Sequence, residues 1–254
     1  MTQQDMAAGS RTAREVAAQP ACWRHAARLA ADVAGSLPAP GERVAVAGCG
    51  TSWFMAQSYA AAREEAGHGE TDAFAASEMP RGRRYDRVLV LSRSGTTTEI
   101  LHLLGRLHGT VPTVAITAAG WAPVAQAADE VIDLSFADEE SVVQTRFATT
   151  ELALLRAHLG HDPGPAADAA ERVLAAPLPP EMLAAGQFTF LGTGWTYGLA
   201  GEIAAAGGTA WIGEEDPLAE LVRVQMVAVA AARARGLDPD RPRNLARSVI
   251  LGTP

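Results

Sequence analysis

The chain has 254 residues, of which 48% are hydrophobic and 20% are charged, and its formal net charge is −8. This composition is typical of a folded protein rather than a disordered one, and the length suffices for one large domain or two small ones. The negative charge argues against a nucleic-acid-binding surface. No lysine occurs, so all 21 basic residues are arginine, which excludes a Schiff base to a side-chain amine.

Cysteine content and hydropathy indicate where the protein resides. Cys22 and Cys49 form neither a disulfide framework nor a CxxC pair, as expected in a reducing compartment. Residues 1–16 contain no apolar signal-peptide core, and no apolar run reaches the length of a membrane span. The sequence therefore predicts a cytoplasmic protein without membrane contact.

Up to residue 160, helical patterns alternate with short apolar strands. The first is a helix within residues 14–37, with Pro20 near its start. Strands and further helices then alternate along the chain. The strands are predicted at 43–48, 71–75, 87–92, 112–117 and 130–135, and the helices at 53–67, 95–109 and 145–160. This alternation predicts an α/β fold with a doubly wound parallel sheet.

The rest of the chain repeats the beginning of this pattern. Residues 161–180 contain five prolines and indicate a linker around a short helix. Residues 187–206, "QFTFLGTGWTYGLAGEIAAA", then resemble residues 43–62, "RVAVAGCGTSWFMAQSYAAA", which indicates an internal repeat. A strand within 207–213 and a helix at 216–236 follow. We therefore predict an N-terminal helical segment (1–40), one complete half (41–160), the linker (161–180) and a truncated second half (181–254).

Two loops rich in small hydroxyl side chains follow two of the predicted strands. "CGTS" (49–52) and "SRSGTT" (92–97) each lead into a helix. Helix N-termini carry unpaired N–H groups and a partial positive charge, and Ser and Thr hydroxyls add short hydrogen bonds. Such residues can also simply cap helices. Because two such loops follow two strands of one sheet, an anion site is favoured. The dinucleotide-binding fingerprint GxGxxG is absent, and a Walker A motif is excluded because the chain has no lysine.

Several motifs in the same order resemble the SIS (sugar isomerase) domain family. They are "EVAAQP" (15–20), "CGTS" (49–52), "ASE" (76–78), "LSRSGTTTE" (91–99), "SVVQTRFATT" (141–150) and "RPRNLARSV" (241–249). The family includes the isomerase half of glucosamine-6-phosphate synthase, amino-sugar phosphate isomerases and deaminases, and N-acetylmuramic acid 6-phosphate etherase. The resemblance implies a doubly wound α/β sandwich, a homodimer with sites near the subunit interface, a hexosamine 6-phosphate substrate and no cofactor.

The resemblance also implies roles for individual residues. The phosphate and nearby sugar oxygens would be held by the hydroxyl groups of the two loops, at Thr51, Ser52, Ser92, Ser94 and Thr97. Arg93 stands where the synthase has glutamine, and its guanidinium favours an anion. Arg247, in "NLARS", stands where the synthase has lysine, and together with Arg241 and Arg243 it either closes over the phosphate or belongs to a surface tail.

The resemblance fails in the part that performs isomerisation. The synthase continues after its second GxG loop through a helix rich in Lys and Glu and an "HGP" loop, which here are missing. Arginine is a poor substitute base because it stays protonated. The remaining acid/base candidate is Glu78 in "ASEMP", which resembles a functional glutamate of the etherase, although Glu78 could equally be a structural anchor. Glu202 and Glu140 are weaker candidates.

Three functions follow from these observations. The first is a lyase that eliminates water from N-acetylglucosamine 6-phosphate by abstraction of the C2 proton. The second is an aldose–ketose isomerase or deaminase of an amino-sugar 6-phosphate, with Glu202 or Glu140 as base. The third is a non-catalytic sugar-phosphate sensor. A metal site is not expected, because His102 and His108 lie six residues apart and do not share a helix face.

Overall fold

A parallel sheet forms the centre of the fold in this computed structural model. The structure describes residues 10–179, 182, 189–191, 210–213, 215–242, 246–247 and 250. Within them the strands β1 (Val44–Gly48), β2 (Thr71–Ala75), β3 (Arg87–Leu91), β4 (Thr113–Thr117) and β5 (Glu130–Asp133) form a five-stranded sheet in the order β2-β1-β3-β4-β5. Every neighbouring pair is parallel. The predicted α/β class, the five strands and their parallel pairing are confirmed.

The helices, in chain order, are α1 (Arg11–Ala17), α2 (Gln19–Asp32), α3 (Thr51–Glu65), α4 (Thr98–Leu107), α5 (Val124–Ala127), α6 (Arg146–His158), α7 (Gly164–Ala175) and α8 (Pro217–Ala234). Short 3₁₀ turns occupy Ala76–Glu78 and Ser135–Ala137. Pro20 lies in the first turn of α2, where its missing N–H is harmless.

Helix α4 begins later than the sequence pattern predicts. The expected start was residue 95, but Gly95 has a φ of 63° and Thr97 has an extended ψ of 121°. Neither conformation continues a right-handed helix. Residues 95–97 therefore form a loop ahead of α4, and their hydroxyl groups stand outside the helix.

The sheet is buried on both faces, as expected for a parallel sheet covered by helices. Ala45, Ala47, Val88 and Val90 share a hydrophobic core with Ile100, Leu103 and Leu104 of α4. The alternate strand residues, Val44, Val46, Leu89 and Leu91, point to the opposite face and are also buried. Strands β1, β3 and β4 are apolar runs without alternation for this reason, and their loops are held on a rigid frame.

The chain divides into two compact units. One consists of Met1–Ala21 and Gly164–Arg243, and the other of Cys22–Pro163 and Asn244–Pro254. In the first, α8 packs against α7 and α1, and the carboxylate of Asp240 accepts hydrogen bonds from the backbone N–H groups of Arg11 and Thr12 at 2.9 and 2.8 Å. Strands β6 (Thr189–Leu191) and β7 (Ala210–Ile212) form a parallel pair, in agreement with the strands predicted there. No helix in the described ranges combines the length and apolarity needed to cross a membrane.

Candidate functional site

The two hydroxyl-rich loops leave the sheet at the point where its strand order reverses. From β1 the chain passes to β2 on one side, whereas β3 lies on the other side of β1. In doubly wound sheets ligands bind beyond the carboxyl ends of the strands at this switch point. Gly48, the last residue of β1, pairs in register with both Ala75 and Leu91, the last residues of β2 and β3. The loops that begin "CGTS", "ASE" and "SRSG" therefore start side by side at one edge, which we call the switch-point crevice.

Hydroxyl groups in the β3–α4 loop are available to a ligand. Ser94 and Thr97 are half-buried, and the Thr97 hydroxyl makes no capping bond to α4. The Oγ1 of Thr96 donates to the Oγ of Ser94 at 3.2 Å, so the neighbouring hydroxyls orient one another. The hydroxyl of Ser92 is buried and has no hydrogen-bond partner among the described residues.

The β1–α3 loop presents its hydroxyl groups differently. Thr51, the first residue of α3, is half-buried. Ser52 is 1% exposed, and its Oγ lies 3.4 Å from Oε1 of Gln144. Gly50 precedes α3 with a φ of 56° and without a side chain to cap the helix. The first turn of α3 therefore keeps N–H groups that lack intrahelical partners.

Two glycines in these loops are fixed by close packing. A Cβ on Gly48 would lie 2.6 Å from the backbone carbonyl carbon of Ser52, so only glycine lets α3 approach β1 this closely. A Cβ on Gly95 would lie 2.7 Å from the Cβ of Ala122 and 2.8 Å from Cγ1 of Val124. The positive φ of Gly95 adds a second reason for glycine there. Both loops are thus built into the packing of the unit.

Arg93 is 1% exposed, and both of its terminal nitrogens contact protein groups. Nη1 donates to the carbonyl of Ser141 at 3.2 Å and lies 3.4 Å from Oε2 of Glu139, and Nη2 donates to the carbonyls of Val142 and Arg247 at 3.0 and 3.2 Å. Burial lowers the pKa of Arg93, and the Glu139 carboxylate opposes that shift. Arg93 therefore fixes the segment after β5 to the end of β3.

Glu139 is the buried counterpart of Arg93. Its Oε1 accepts hydrogen bonds from the N–H and hydroxyl of Thr145, at 2.6 and 2.5 Å, and from the N–H of Arg146 at 2.9 Å. These donors stand at the start of α6, where a carboxylate satisfies unpaired N–H groups and faces the positive end of the helix. Glu139 is 1% exposed, and a buried carboxylate requires this number of partners.

Arg247, far along the chain, contacts the segment that carries Glu139. Its Nη2 is 2.6 Å from Oδ1 of Asp138, its Nη1 donates to the carbonyl oxygen of Glu139, and its own carbonyl accepts from Arg93. About two fifths of its side chain is exposed. From the sequence, Arg93 is expected at the phosphate, and Arg247 either there or in a surface tail; in the structure, which contains no ligand, both guanidinium groups contact the segment 138–142.

Glu78 lies at the crevice edge on the 3₁₀ turn that follows β2. It is exposed, and the hydroxyl of Ser77 lies 3.4 Å from its Oε1. A second carboxylate approaches the same edge, because the Sγ of Cys49 lies 3.4 Å from Oε2 of Glu99 in the first turn of α4. Burial, followed by the charge of Glu99, raises the pKa of Cys49 to about 11, so the thiol is neutral and not a nucleophile at neutral pH.

Glu151, on α6, is a buried acid that the sequence analysis did not select. It is 0% exposed, and neither carboxyl oxygen has a hydrogen-bond partner of good geometry among the described residues. Burial raises the pKa of Glu151 well above its usual range, the nearby Ser52 hydroxyl lowers it in part, and the Glu139 charge raises it further. Burial and the neighbouring Glu139 carboxylate thus both favour the neutral form of Glu151.

Of the two weaker acid/base candidates, Glu140 and Glu202, only Glu140 lies in the part of the chain that the structure describes. Glu140 is exposed, next to Glu139 in sequence. Glu202 lies outside the described residues, as does Arg243. Among the residues that the structure does describe, no group of three or more His, Cys, Asp or Glu side chains could hold a metal ion.

The family model of the SIS domain matches residues 39–158. This range contains β1 to β5 and the three loops of the crevice. Residues 39–158 are an SIS domain. No curated protein sequence matches this chain significantly.

Solved structures with the same fold cover almost the whole chain. Glucosamine-6-phosphate deaminase of Thermotoga maritima is 16% identical with a TM-score of 0.70, and the match covers 95% of this chain and 100% of that one. Tagatose-6-phosphate ketose/aldose isomerase of Escherichia coli is 15% identical with a TM-score of 0.70, covering 98% of each chain. The C-terminal domain of glucosamine-fructose-6-phosphate aminotransferase of Francisella tularensis is 15% identical with a TM-score of 0.70, covering 91% of this chain and 98% of that one. At these identities the likeness shows the SIS fold.

Three carboxylates of the SIS domain escaped the sequence analysis as site residues. Glu139 could not be separated from Glu140, because adjacent acids give no sign of which one turns inward. Glu99 was recognised only as a first-turn acid of α4. A signal for Glu151 does exist, since it is an acid within the otherwise apolar and small run 147–155, all of which is buried.

Proposed function

We propose that the switch-point crevice of the SIS domain binds the 6-phosphate of an amino sugar. The observation that carries the proposal is the register of Gly48 with both Ala75 and Leu91. Through this register, two loops rich in hydroxyl groups and the N-termini of α3 and α4 meet at one edge. Helix N-termini attract anions, and short hydroxyls bind phosphate oxygens without filling the site.

The hydroxyl groups differ in what they can offer the phosphate. Those of Thr51, Ser94 and Thr97 belong to half-buried residues at the crevice, and we assign them to the phosphate together with the unpartnered hydroxyl of Ser92. Ser52 belongs to the same predicted set. Because its hydroxyl is buried against Gln144 and Glu151, we assign its contribution to the backbone N–H.

Arg93 and Arg247 act on the ligand from a distance in this proposal. Their guanidinium groups contact the segment 138–142 rather than the crevice. A buried arginine in a fixed network cannot move to a ligand without losing those hydrogen bonds. We therefore assign both residues to holding the protein segment beside the crevice, with the charge of Arg93 compensated by Glu139.

The reaction we propose is elimination of water from N-acetylglucosamine 6-phosphate. In the open-chain sugar the C2 proton is acidified by the neighbouring aldehyde. Glu78 takes this proton, the C3–O bond breaks, and the leaving hydroxide takes up the proton, giving water and an α,β-unsaturated aldehyde. This route needs one positioned acid/base, and Glu78 is an exposed carboxylate at the crevice edge. A general acid/base contributes about 10²–10⁴-fold to the rate.

The experiment is incubation of the protein with N-acetylglucosamine 6-phosphate, followed by ultraviolet absorbance and mass spectrometry. We expect a product lighter by one water, absent with Glu78→Gln. Glu65→Gln is the matched control, because Glu65 is an exposed acid at the far end of α3. Ser94→Ala should weaken binding of the sugar phosphate in calorimetry. Unchanged affinity of Ser94→Ala would reject the phosphate site, and unchanged turnover of Glu78→Gln would reject the base.

A second candidate is isomerisation or deamination of an amino-sugar 6-phosphate, favoured by the deaminase and isomerase among the structural neighbours. Glu140 or Glu202 would then be the base. A ketose or released ammonia, in place of the unsaturated aldehyde, would identify it, and binding without turnover would identify a sensor. A homodimer remains part of the proposal, and its test is the mass in solution.

A further inference from the structure

A second concave site lies in the SIS domain away from the crevice. It is a groove of about 590 Å³ between the loop that joins the Ala76–Glu78 turn to β3 and the C-terminal half of α4. Its volume lies within the range of roughly 300–1,000 Å³ that is typical of small-molecule sites. We call it the arginine groove, because Arg81, Arg83, Arg84 and Arg106 line it alongside apolar residues such as Leu103 and Leu107.

Most of the positive charge of the arginine groove is uncompensated. No Asp or Glu is among its lining residues. Arg83 pairs with Asp72 at 3.0 Å, whereas Arg81, Arg84 and Arg106 form no hydrogen bond or ion pair with any residue that the structure describes. Three guanidinium groups without a partner among the described residues thus line one concavity, and their shared positive charge attracts an anion.

The floor of the groove is apolar. Leu103, a buried residue of α4, lines the floor, and Leu107 and Val111 are half-buried beside it. Tyr85, also lining the groove, packs edge to face with Phe74 and is fixed by a hydrogen bond of 2.6 Å from its hydroxyl to Asp72. A fixed aromatic ring and aliphatic side chains can bind a flat or apolar part of a ligand, whereas guanidinium groups bind phosphates through paired hydrogen bonds.

Most of the arginine groove lies away from the crevice, although its lining residue Met79 directly follows Glu78 at the crevice edge. Arg106 lies eight residues after Thr98, the first residue of α4, which is about 12 Å along the helix. The N-terminus of α4 opens on the crevice at the carboxyl edge of the sheet, and its last turn lines the groove.

We propose that the arginine groove binds a nucleoside diphosphate, or a compound built on one. A diphosphate carries about three negative charges at neutral pH, since a terminal phosphate carries about 1.5–2, and this matches the three free arginines. The base or other flat group lies on the apolar floor beside Tyr85. Such a ligand would act as an effector rather than a substrate, because it lies outside the crevice. The proposal is independent of the reaction proposed above.

The test is calorimetric titration of the full chain with ADP and UDP, with inorganic pyrophosphate as the probe for charge alone. We expect the nucleotides to bind at least tenfold more tightly than pyrophosphate, and Arg84→Ala and Arg106→Ala each to weaken nucleotide binding about tenfold. Arg28→Ala is the matched control, because Arg28 is an exposed helical arginine on α2 outside the groove. It should bind like the unmodified protein.

Three results would overturn the proposal. The first is equal affinity for pyrophosphate and for the nucleotides. The second is equal weakening of nucleotide binding by Arg28→Ala and Arg106→Ala. The third is a concentration-dependent dimer that Arg84→Ala dissociates, which would assign the groove to a second copy of the chain. Binding of N-acetylglucosamine 6-phosphate serves as a separate readout. If Ser94→Ala weakens binding of this sugar phosphate while nucleotide binding persists, the two ligands occupy separate sites.

Discussion

Glu151→Gln should make the protein more stable, and increasingly so as the pH rises. The buried carboxyl of Glu151 has no partner of good geometry among the described residues, and its pKa in the folded protein is well above the usual range. In the unfolded chain the same group ionises near pH 4.3. Between these two values the folded protein holds one more proton than the unfolded chain, so the free energy of unfolding falls as the pH rises.

The magnitude follows from this one proton. The contribution of Glu151 is fully present below about pH 4.3 and is lost by about 1.4 kcal/mol per pH unit until the pH reaches the folded-state pKa. Glutamine has nearly the same shape and no charge to desolvate. The stability difference between Glu151→Gln and the unmodified protein should therefore grow by about 1.4 kcal/mol per pH unit from pH 5 up to the folded-state pKa of Glu151, and stay constant above it.

The assay is urea unfolding at pH 5, 6, 7 and 8, with Glu140→Gln as the control because Glu140 is an exposed acid close in sequence. The control curve should run parallel to that of the unmodified protein. If the curves of Glu151→Gln and the unmodified protein are also parallel, Glu151 does not titrate between the two states, and the assignment of a buried neutral acid beside Ser52 is refuted.

Three further predictions concern the frame of the crevice. Glu139→Ala should lower the free energy of unfolding by about 3–5 kcal/mol, because it leaves the buried Arg93 charge uncompensated; a loss below 1 kcal/mol in denaturant titration would contradict this. Gly95→Ala should destabilise the domain and weaken sugar-phosphate binding together, because its Cβ would lie 2.7 Å from a neighbouring side chain; wild-type melting and affinity would argue against a packed loop. Glu99→Gln should speed alkylation of Cys49 by iodoacetamide at pH 8, since the Glu99 charge and hydrogen bond raise the thiol pKa; an unchanged rate would show that burial alone protects the thiol.

Much of the fold could be predicted from sequence because its signals are local. The buried parallel strands 44–48 and 113–117 are made of small, apolar and β-branched residues, and residues that end a strand follow each of them. Positions where a tertiary contact decides the outcome were harder. Thr96 and Thr97 have hydroxyl side chains that suit a first helical turn, but the packing and positive φ of Gly95 before them hold residues 95–97 in a loop.

The site was predictable as a set of loops but not in its contacts. Strand order brings Gly48 level with Ala75 and Leu91, and the motifs after those strands were recognised. The partners of Arg93 could not be inferred, because they lie 46 to 154 residues away and are mainly carbonyl oxygens, which every residue carries. A free arginine in a phosphate loop and a structural arginine look alike in sequence.

The carboxylate of Glu139 accepts from the amides at the start of α6 and also faces the guanidinium that anchors the end of β3. Opening of this stretch to solvent therefore breaks both sets of contacts in one event. Hydrogen–deuterium exchange at the amides of Thr145 and Arg146 should consequently report local opening of the segment from Glu139 to the start of α6, which occurs more often than unfolding of the whole domain.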